Sequence, residues 1–572
     1  MALPHLKVNL SGTSQLDQTR LIYLFVFLLI SIFVLLPVSL TMMNSFIQGE
    51  IGQTRSWSLQ PWREALNDPA IFNGLKNTIK VILFNELISM PIAIFFAWLL
   101  GRTDLPCRFG LEFIFWISFF LPSLSVTMGW IALLDPQGGV LNHLFMQLPF
   151  ISEPPFNIYS FWGIVWAHIG SSSVSVKIML LTPAFRNLDA SYEEAAMISG
   201  AKMSTVLVRI ILPLTAPAIM TVLVLSTIKS MQSFEIEMVL GPPNNFWVFG
   251  TLIYRNIEQL PPHFATAAAL ASLTFIGIIP LIIAHRWILG RRNYTALSGR
   301  IRLAPMPLGK WRGPVFLLVA ISAFVITGLP VSFVVLSSFM KFFGFFDIPE
   351  PWTIANWQQV LADPFFLRSL LATLKLALGA GFTCVVLSAL IAYFVVRGKY
   401  VGRTILDFLS WLPFAIPGIL FGVGLLSVIL GSPIFKPFYG TLLIMILATS
   451  IAHLTMGTQI VKSTLIQLDQ NLEEAARMSG ADFWTVFMKI IAPILAPTLV
   501  LVAVSSFIGA TRDIASVALL ATNETKPLSL LQLDYLMDGR SESAAVMSVI
   551  VIILTTGLAL ICRMIGLRLS IR

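Results

Sequence analysis

Residues 188–217 and 468–497 write one segment twice, LDASYEEAAMISGAKMSTVLVRIILPLTAP and LDQNLEEAARMSGADFWTVFMKIIAPILAP, identical at 16 of 30 positions without a gap. Polar and charged residues held in register 280 positions apart mean that the chain is built from two copies of one unit. More matches extend the repeat at an offset of 295: Trp57 with Trp352, Trp62 with Trp357, Asp68 and Pro69 with Asp363 and Pro364, Thr78 with Thr373, Lys80 with Lys375, and Arg102 with Arg397. The first copy therefore holds 15 extra residues, most naturally in the long loop near 135–159. A period this long lies far above the ~20–50 residues of stacked repeats, so a whole half has been duplicated.

Composition says what each half is. Hydrophobic residues make up 56% of the 572 and charged residues 11%, with a mean hydropathy of +0.84, too little polar surface to clothe a soluble globule. Twelve apolar stretches are long enough to cross a ~30 Å hydrocarbon core as helices. They centre on 21–43, 75–100, 110–134, 160–183, 212–233, 264–289, 313–338, 368–396, 405–430, 437–461, 492–510 and 544–567. The first exceeds a secretory h-region and lacks a small-residue cleavage site, and reads as a true span. The expected fold is an all-α polytopic membrane protein: six spans in 1–290, a basic linker at 291–312, and six spans in 313–572. An even number per half makes the repeats parallel, related by a pseudo-twofold axis along the membrane normal.

Charge orients the spans. Residues 286–312 hold seven Lys/Arg and no acid, whereas 135–159 hold no Lys or Arg and 511–542 hold five acids against three bases. The positive-inside rule places the linker and both termini in the cytoplasm of a bacterial inner-membrane protein. The net charge of +9 is then mostly topology, and no basic helix points to nucleic acid. Three cysteines, Cys107, Cys384 and Cys562, suggest neither a disulfide framework nor a metal cluster. His168 and His453 fall inside spans but do not align between the copies, and read as packing or hydrogen-bonding residues.

Within the duplicated segment, Ser191 and Asn471 precede Glu194 and Glu474 by three residues, the spacing of a capping box. Gly200 and Gly480 are placed to end that helix with a positive-φ turn, after which a second helix leads into the bilayer at Pro213 or Pro493. A short helix, a turn and another helix on the membrane surface make a docking element. An amphipathic connector would need only the pattern, whereas here the residues themselves recur.

At these residues the chain resembles the membrane subunits of bacterial ABC importers. The signature Glu-Ala-Ala, three residues, Gly, nine residues, Ile, one residue, Leu-Pro is met by Glu194, Ala195, Ala196, Gly200, Ile210, Leu212 and Pro213. The second copy meets it through Glu474, Ala475, Ala476, Gly480, Ile490 and Pro493, with Ala492 in place of Leu. The resemblance implies a type I importer-like fold, coupling helices at 188–205 and 468–485, two ATP-hydrolysing partner subunits, and an extracytoplasmic solute-binding protein. Two fused halves resemble the ferric-iron and thiamine permeases, and WLLGRTDLPCR at 98–108 with EPPFNIYSFWG at 153–163 is most similar to the ferric-iron branch. No G-x-x-x-x-G-K-[ST] loop is found, so the chain is expected not to be an enzyme, with ATP and Mg²⁺ on the partners.

For the substrate path, SFEIEMV at 233–239 aligns with TRDIASV at 511–517, setting Glu235 opposite Asp513. Acids near the axis suit ferric iron or an organic cation, Arg512 admits an anion or zwitterion, and charges that merely close a helix are the plain alternative. Thiamine, a polyamine or an aminophosphonate are the other solutes this reading admits. A twelve-span secondary transporter would explain the duplication without needing two docking motifs, and a membrane enzyme would need a nucleophile or metal cluster that the sequence lacks.

Overall fold

A computed structural model of the protein describes residues 11–48, 56–259, 261–290, 305–345 and 348–570. Apart from a two-residue ribbon, Ile47–Gln48 against Ser56–Trp57, its regular structure is helical. The expected linker at 291–312 lies outside the described residues up to 304, as do residues 1–10 and the last two.

In the first copy the helices are α1 Ser11–Asn44, α2 Gln60–Asn67, α3 Pro69–Arg102, α4 Arg108–Phe120, α5 Ser123–Leu134, α6 Val140–Met146, α7 Phe161–Arg186, α8 Ser191–Ile198, α9 Met203–Met231, α10 Glu235–Leu240, α11 Phe249–Glu258 and α12 Phe264–Gly290. In the second they are α13 Gly309–Ser338, α14 Ala355–Ala362, α15 Pro364–Val396, α16 Arg403–Ala415, α17 Gly418–Gly431, α18 Leu442–Gln467, α19 Asn471–Met478, α20 Phe483–Arg512, α21 Leu528–Met537 and α22 Ser541–Ser570. Ten are long and apolar enough to cross a membrane unaided.

The expected third and ninth spans are each broken. The α4–α5 and α16–α17 pairs bend by 103° and 109°. Each break falls on a residue that precedes proline, Leu121 at ψ 136° and Ile416 at ψ 118°, where the proline ring excludes the helical conformation. The neighbouring spans show that each pair still crosses. α3 and α7 run parallel, with Phe84 beside Phe161 at 5.5 Å, Glu86 beside Lys177 at 3.1 Å, and Arg102 reaching Leu188 O at 2.8 Å. α15 and α18 keep the same order: Gly379 lies against Ile446, Cys384 against Gly457, and Arg397 reaches Leu465 O and Leu468 O. Between two parallel spans the chain has to return to its starting face, so each bent pair counts as one span, and the candidate spans among the described residues number twelve.

Packing does not follow the repeat boundaries. One compact unit combines α1 up to Met43 with Leu371–Thr525 and the end of α22; the other combines Asn44–Leu370 with Lys526–Ile561. The first helix of each copy thus packs with spans of the other copy. In one unit Tyr23 of α1 stacks on Tyr400 at 4.7 Å and its hydroxyl donates to Val401 O at 2.9 Å. The same contact type is built twice, since a Cβ on Gly424 would lie 2.6 Å from Pro37 O, and one on Gly129 would lie 2.1 Å from Pro330 O. Gly129 and Gly424 are offset by the repeat distance of 295.

The linker's end is fixed to the tip of α3. Met306 N–H donates to Arg102 O at 2.7 Å, Asp104 N–H to Met306 O at 3.0 Å, and Leu308 N–H to the Asp104 carboxylate at 2.8 Å. The described end of the linker and the duplicated segment after α7 therefore share one face.

Because no side chain fits at Gly129 or Gly424, Gly129→Leu and Gly424→Leu are each expected to cost at least the ~1–3 kcal/mol of an overpacked core. Thermal unfolding of the purified full chain checks this. Gly110→Ala, with no atom within 4 Å of its Cβ, should show no such loss.

Candidate functional site

The duplicated segment folds into two short helices, α8 and α19, each lying across the ends of a parallel pair of spans. Ser191 and Asn471 are the first helical residues and do not cap. Asp189 and Asp469, two residues earlier, accept the N–H groups of Ser191 and Asn471 at 3.0 Å each. The capping box expected with Glu194 and Glu474 is replaced by an Asx turn, because an aspartate reaches the free N–H from outside the helix.

Gly200 and Gly480 end the helices as expected, at φ +82° and +86°. Their N–H groups bond Met197 O and Arg477 O, and the following Ala201 and Ala481 bond Ala196 O and Ala476 O, a Schellman closure. No atom of the chain lies within 4 Å of either missing Cβ, so within the chain the glycines answer to backbone conformation rather than close packing.

The second helix of each element runs on into the membrane as α9 or α20. Ahead of Pro213 and Pro493 it widens into π turns at Leu207–Ile211 and Phe487–Ile491, closed by Leu212 N–H to Leu207 O and Ala492 N–H to Phe487 O. Proline offers no N–H to the preceding turn, and the wider turn accommodates it. The starts of α9 and α20 differ in one cap. Asp482 accepts Thr485 N–H at 3.1 Å, and its bonds to Thr485 hold its carboxyl below the usual range, whereas Lys202 in the first copy makes no side-chain cap.

The acids that fasten these helices are not the ones the motif emphasised. Glu194 is half-buried and Glu474 exposed, while Glu193 and Glu473, one residue earlier, are buried. Glu193 takes both Arg102 Nε, at 2.9 Å, and Arg102 Nη2, at 2.7 Å. Glu473 takes Arg397 Nε at 2.9 Å and the Tyr393 hydroxyl at 3.0 Å, and Tyr393 in turn accepts from Arg477 at 2.9 Å. Each arginine also holds backbone carbonyls ahead of the docking helix: Leu188 O, or Leu465 O and Leu468 O. The repeated Arg102 and Arg397 were visible in the sequence. Their partners were hidden because the two members of each pair recur at different offsets, 295 and 280.

What remains outward is apolar. Ile198 and Met478 stand at equivalent positions with 87% and 89% of their surface exposed, beside exposed Tyr192 and Ala195 or Leu472 and Ala475. Ala196 and Ala476 are half-buried at the foot of each helix.

Deeper in the first copy lie buried ionic contacts, of which the sequence pointed only to His168, as a hydrogen-bonding residue. Lys177 contacts Glu86 at 3.1 Å and donates to Ser89 at 2.6 Å and Ser173 at 2.9 Å, and Ser226 donates to Glu86 at 2.8 Å. His168 meets Glu237 at 2.8 Å, with Ser233 on the same carboxylate. The signal was available in the repeat: the positions equivalent to Glu86 and Lys177 are Gly381 and Gly457, so both charges are missing together from the second copy.

Glu235 begins α10 and accepts a hydrogen bond from Ser123. Asp513 closes α20 beside Arg512 and accepts Ser516 N–H at 3.0 Å. Both are half-buried, and they belong to different compact units. Among the described residues no group of three or more His, Cys, Asp or Glu could hold a metal ion.

Two copies of a membrane half, each with a short helix held across the ends of its parallel spans, define a membrane permease. The chain belongs to the family of binding-protein-dependent transport system inner membrane components, which it matches over residues 89–294 and 381–571, and is an ABC importer permease subunit. It is 27% identical over 515 residues to "Putative ferric transport system permease protein FbpB 1" of Haemophilus influenzae, covering 88% of this chain and 78% of the relative. It is 26% identical over 534 residues to "Ferric transport system permease protein FbpB" of Actinobacillus pleuropneumoniae, covering 90% and 73%. A third relative, "Probable ABC transporter permease protein y4fN" of Sinorhizobium fredii, is 26% identical over 87% of this chain and 88% of its own length.

Removing one member of the buried ion pair leaves the other uncompensated in a low-dielectric interior. Lys177→Met is expected to destabilise the protein by about 3–5 kcal/mol, and Glu86→Gln combined with Lys177→Met by clearly less. Thermal unfolding of the three proteins in one detergent reads the difference.

Proposed function

We propose that α8 and α19 are coupling helices, each seated in one of two ATP-hydrolysing partner subunits, and that their movement rocks the two halves to open the substrate path alternately to each side. The observation that carries this reading is a duplicated helix that exposes an apolar knob outward and is tied inward, through Arg102–Glu193 or Arg397–Glu473, to the end of a long span. A buried arginine that holds a carboxylate of the helix and the backbone carbonyls ahead of it is a stiff connection, suited to passing a partner's motion into the span. The chain supplies no nucleotide chemistry in this reading. ATP and Mg²⁺ belong to the partners, and a solute-binding protein delivers substrate at the opposite face.

The same reading sets the docking face, with the basic linker and both termini, in the cytoplasm of a bacterial inner membrane. Ferric iron is the substrate favoured by the ferric permeases among the relatives and by the aligned acids Glu235 and Asp513, the latter beside Arg512. Hard oxygen ligands suit a hard cation.

Gly200→Val and Gly480→Val force a β-branched residue into a positive-φ turn and are expected to lower co-purification of the ATPase subunits and ATP-driven uptake in vesicles while leaving the chain inserted. Undiminished ATPase and normal uptake in both variants would remove the coupling assignment.

Glu235→Gln with Asp513→Asn is expected to reduce uptake of radiolabelled ferric iron without loss of complex assembly, because a carboxylate facing a low-dielectric path attracts a cation. Wild-type uptake by the double variant would leave both acids as helix-end charges.

A further inference from the structure

The duplicated tryptophans of the sequence play no part in the docking helices. They lie at the other ends of the same spans: α3 starts at Pro69 and ends at Arg102, and α15 starts at Pro364 and ends just before Arg397, the arginines that hold the two short helices. Just before each start sits an eight-residue helix, α2 or α14.

The inner side of both short helices is fixed in the same way. Trp62 Nε1–H donates to Ser45 at 3.1 Å and stacks on Phe46 at 5.5 Å; Trp357 Nε1–H donates to Ser338 at 3.2 Å and stacks on Phe339 at 5.5 Å. Asp68 and Asp363 accept the N–H groups of Ala70 and Phe365 at 2.8 and 2.9 Å, starting the long helices. The outer side of both exposes large apolar residues. Leu59, Arg63 and Leu66 share one helical stripe, as do Ile354, Gln358 and Leu361, at i, i+4 and i+7. Trp57 and Trp352, just ahead, expose 71% and 51% of their surface, and Leu66 and Leu361 expose 65% and 55%.

We propose that α2 and α14, with Trp57 and Trp352, are a pair of interfacial anchors lying in the headgroup layer of the bilayer on the face opposite the docking helices. The first argument is continuity. Beyond α2 the exposed apolar residues continue onto α3 as Phe72, Ile79, Leu83 and Leu87, with Lys76 between the first two, on a span whose solvent is hydrocarbon. On α15 the stripe begins in the same way with Phe365 and Leu367.

Depth is the second argument. The 34 residues of α3 extend about 51 Å at 1.5 Å each, against a hydrocarbon core of ~30 Å, which leaves roughly 10 Å beyond it at either end. The start of α3, and α2 with it, falls at headgroup level. Side-chain chemistry agrees: tryptophan favours that level, and the exposed Arg63, Lys76 and Lys80 within and beside the stripe are long enough to bring their charges up to phosphate. Such anchors fix how deep α3 and α15 sit, and so the height of the docking helices at their far ends.

The test uses the permease with its ATPase subunits in nanodiscs of phosphatidylethanolamine and phosphatidylglycerol. Nitroxide labels are placed at Leu66→Cys and Leu361→Cys with Cys107 and Cys562 replaced by serine. Both labels are expected to be open to oxygen and closed to a water-soluble nickel chelate, before and after addition of the solute-binding protein. Replacing Trp57 and Trp352 with alanine should shift both labels toward the nickel chelate. Nickel access equal to that of a label at the exposed Gln147 would overturn the proposal. So would exclusion that arises only when the binding protein is added, since that assigns the face to protein docking.

Discussion

A buried arginine–carboxylate pair, made twice, fixes how each docking element sits. Arg102 and Glu193 are each only 2% exposed, and Arg397 and Glu473 are nearly as enclosed. Two such charges withdrawn from water are tolerable only when their geometry and remaining hydrogen bonds are satisfied. Each arginine binds the carboxylate and the backbone carbonyls ahead of the short helix together. The consequence is mechanical: neither docking helix can turn or lift without moving the end of α3 or α15. An apolar contact at the same place would hold the helix down but would leave its angle free.

Around this shared device the two copies have diverged. The second clamp is reinforced by Tyr393 and Arg477, where the first copy has Trp98 and Met197. The start of α20 is capped by Asp482, and the start of α9 has no such cap. Inside the membrane the difference is larger. The first copy packs α3, α7 and α9 around the Glu86–Lys177 network, while the second brings Val502 and Cys384 against Gly457 in the corresponding place. Ionisable groups within spans are expensive and usually tied to function. One half therefore differs from the other in the polarity of its interior, although each keeps an arginine-held short helix.

Much of the architecture was legible from residue patterns because the relevant physics is local. Apolar length marks crossings, and the recurrence of LD-x-x-x-EEAA with Gly200 and Gly480 marks a helix that ends in a left-handed turn. The capping box failed for an equally local reason, since Asp189 and Asp469 compete for the same N–H groups from two residues upstream. The bent third and ninth spans were also written in the sequence, at Pro122 and Pro417. Hydropathy alone passes over them, because a proline in an apolar run hardly changes its mean.

The sequence by itself determined the membrane class, the duplication and the position of the duplicated short helices, all of which follow from periodicity, length and turn chemistry along the chain. Tertiary structure decided the rest. It chose Glu193 and Glu473 over their neighbours Glu194 and Glu474, because only position on the helix decides which carboxylate points at an arginine 91 or 76 residues away. It set Glu86 beside Lys177, and it placed the first helix of each copy among spans of the other, where Pro37 meets Gly424 and Pro330 meets Gly129. Such contacts join residues far apart in the chain, and no local pattern records which distant surface a side chain will meet.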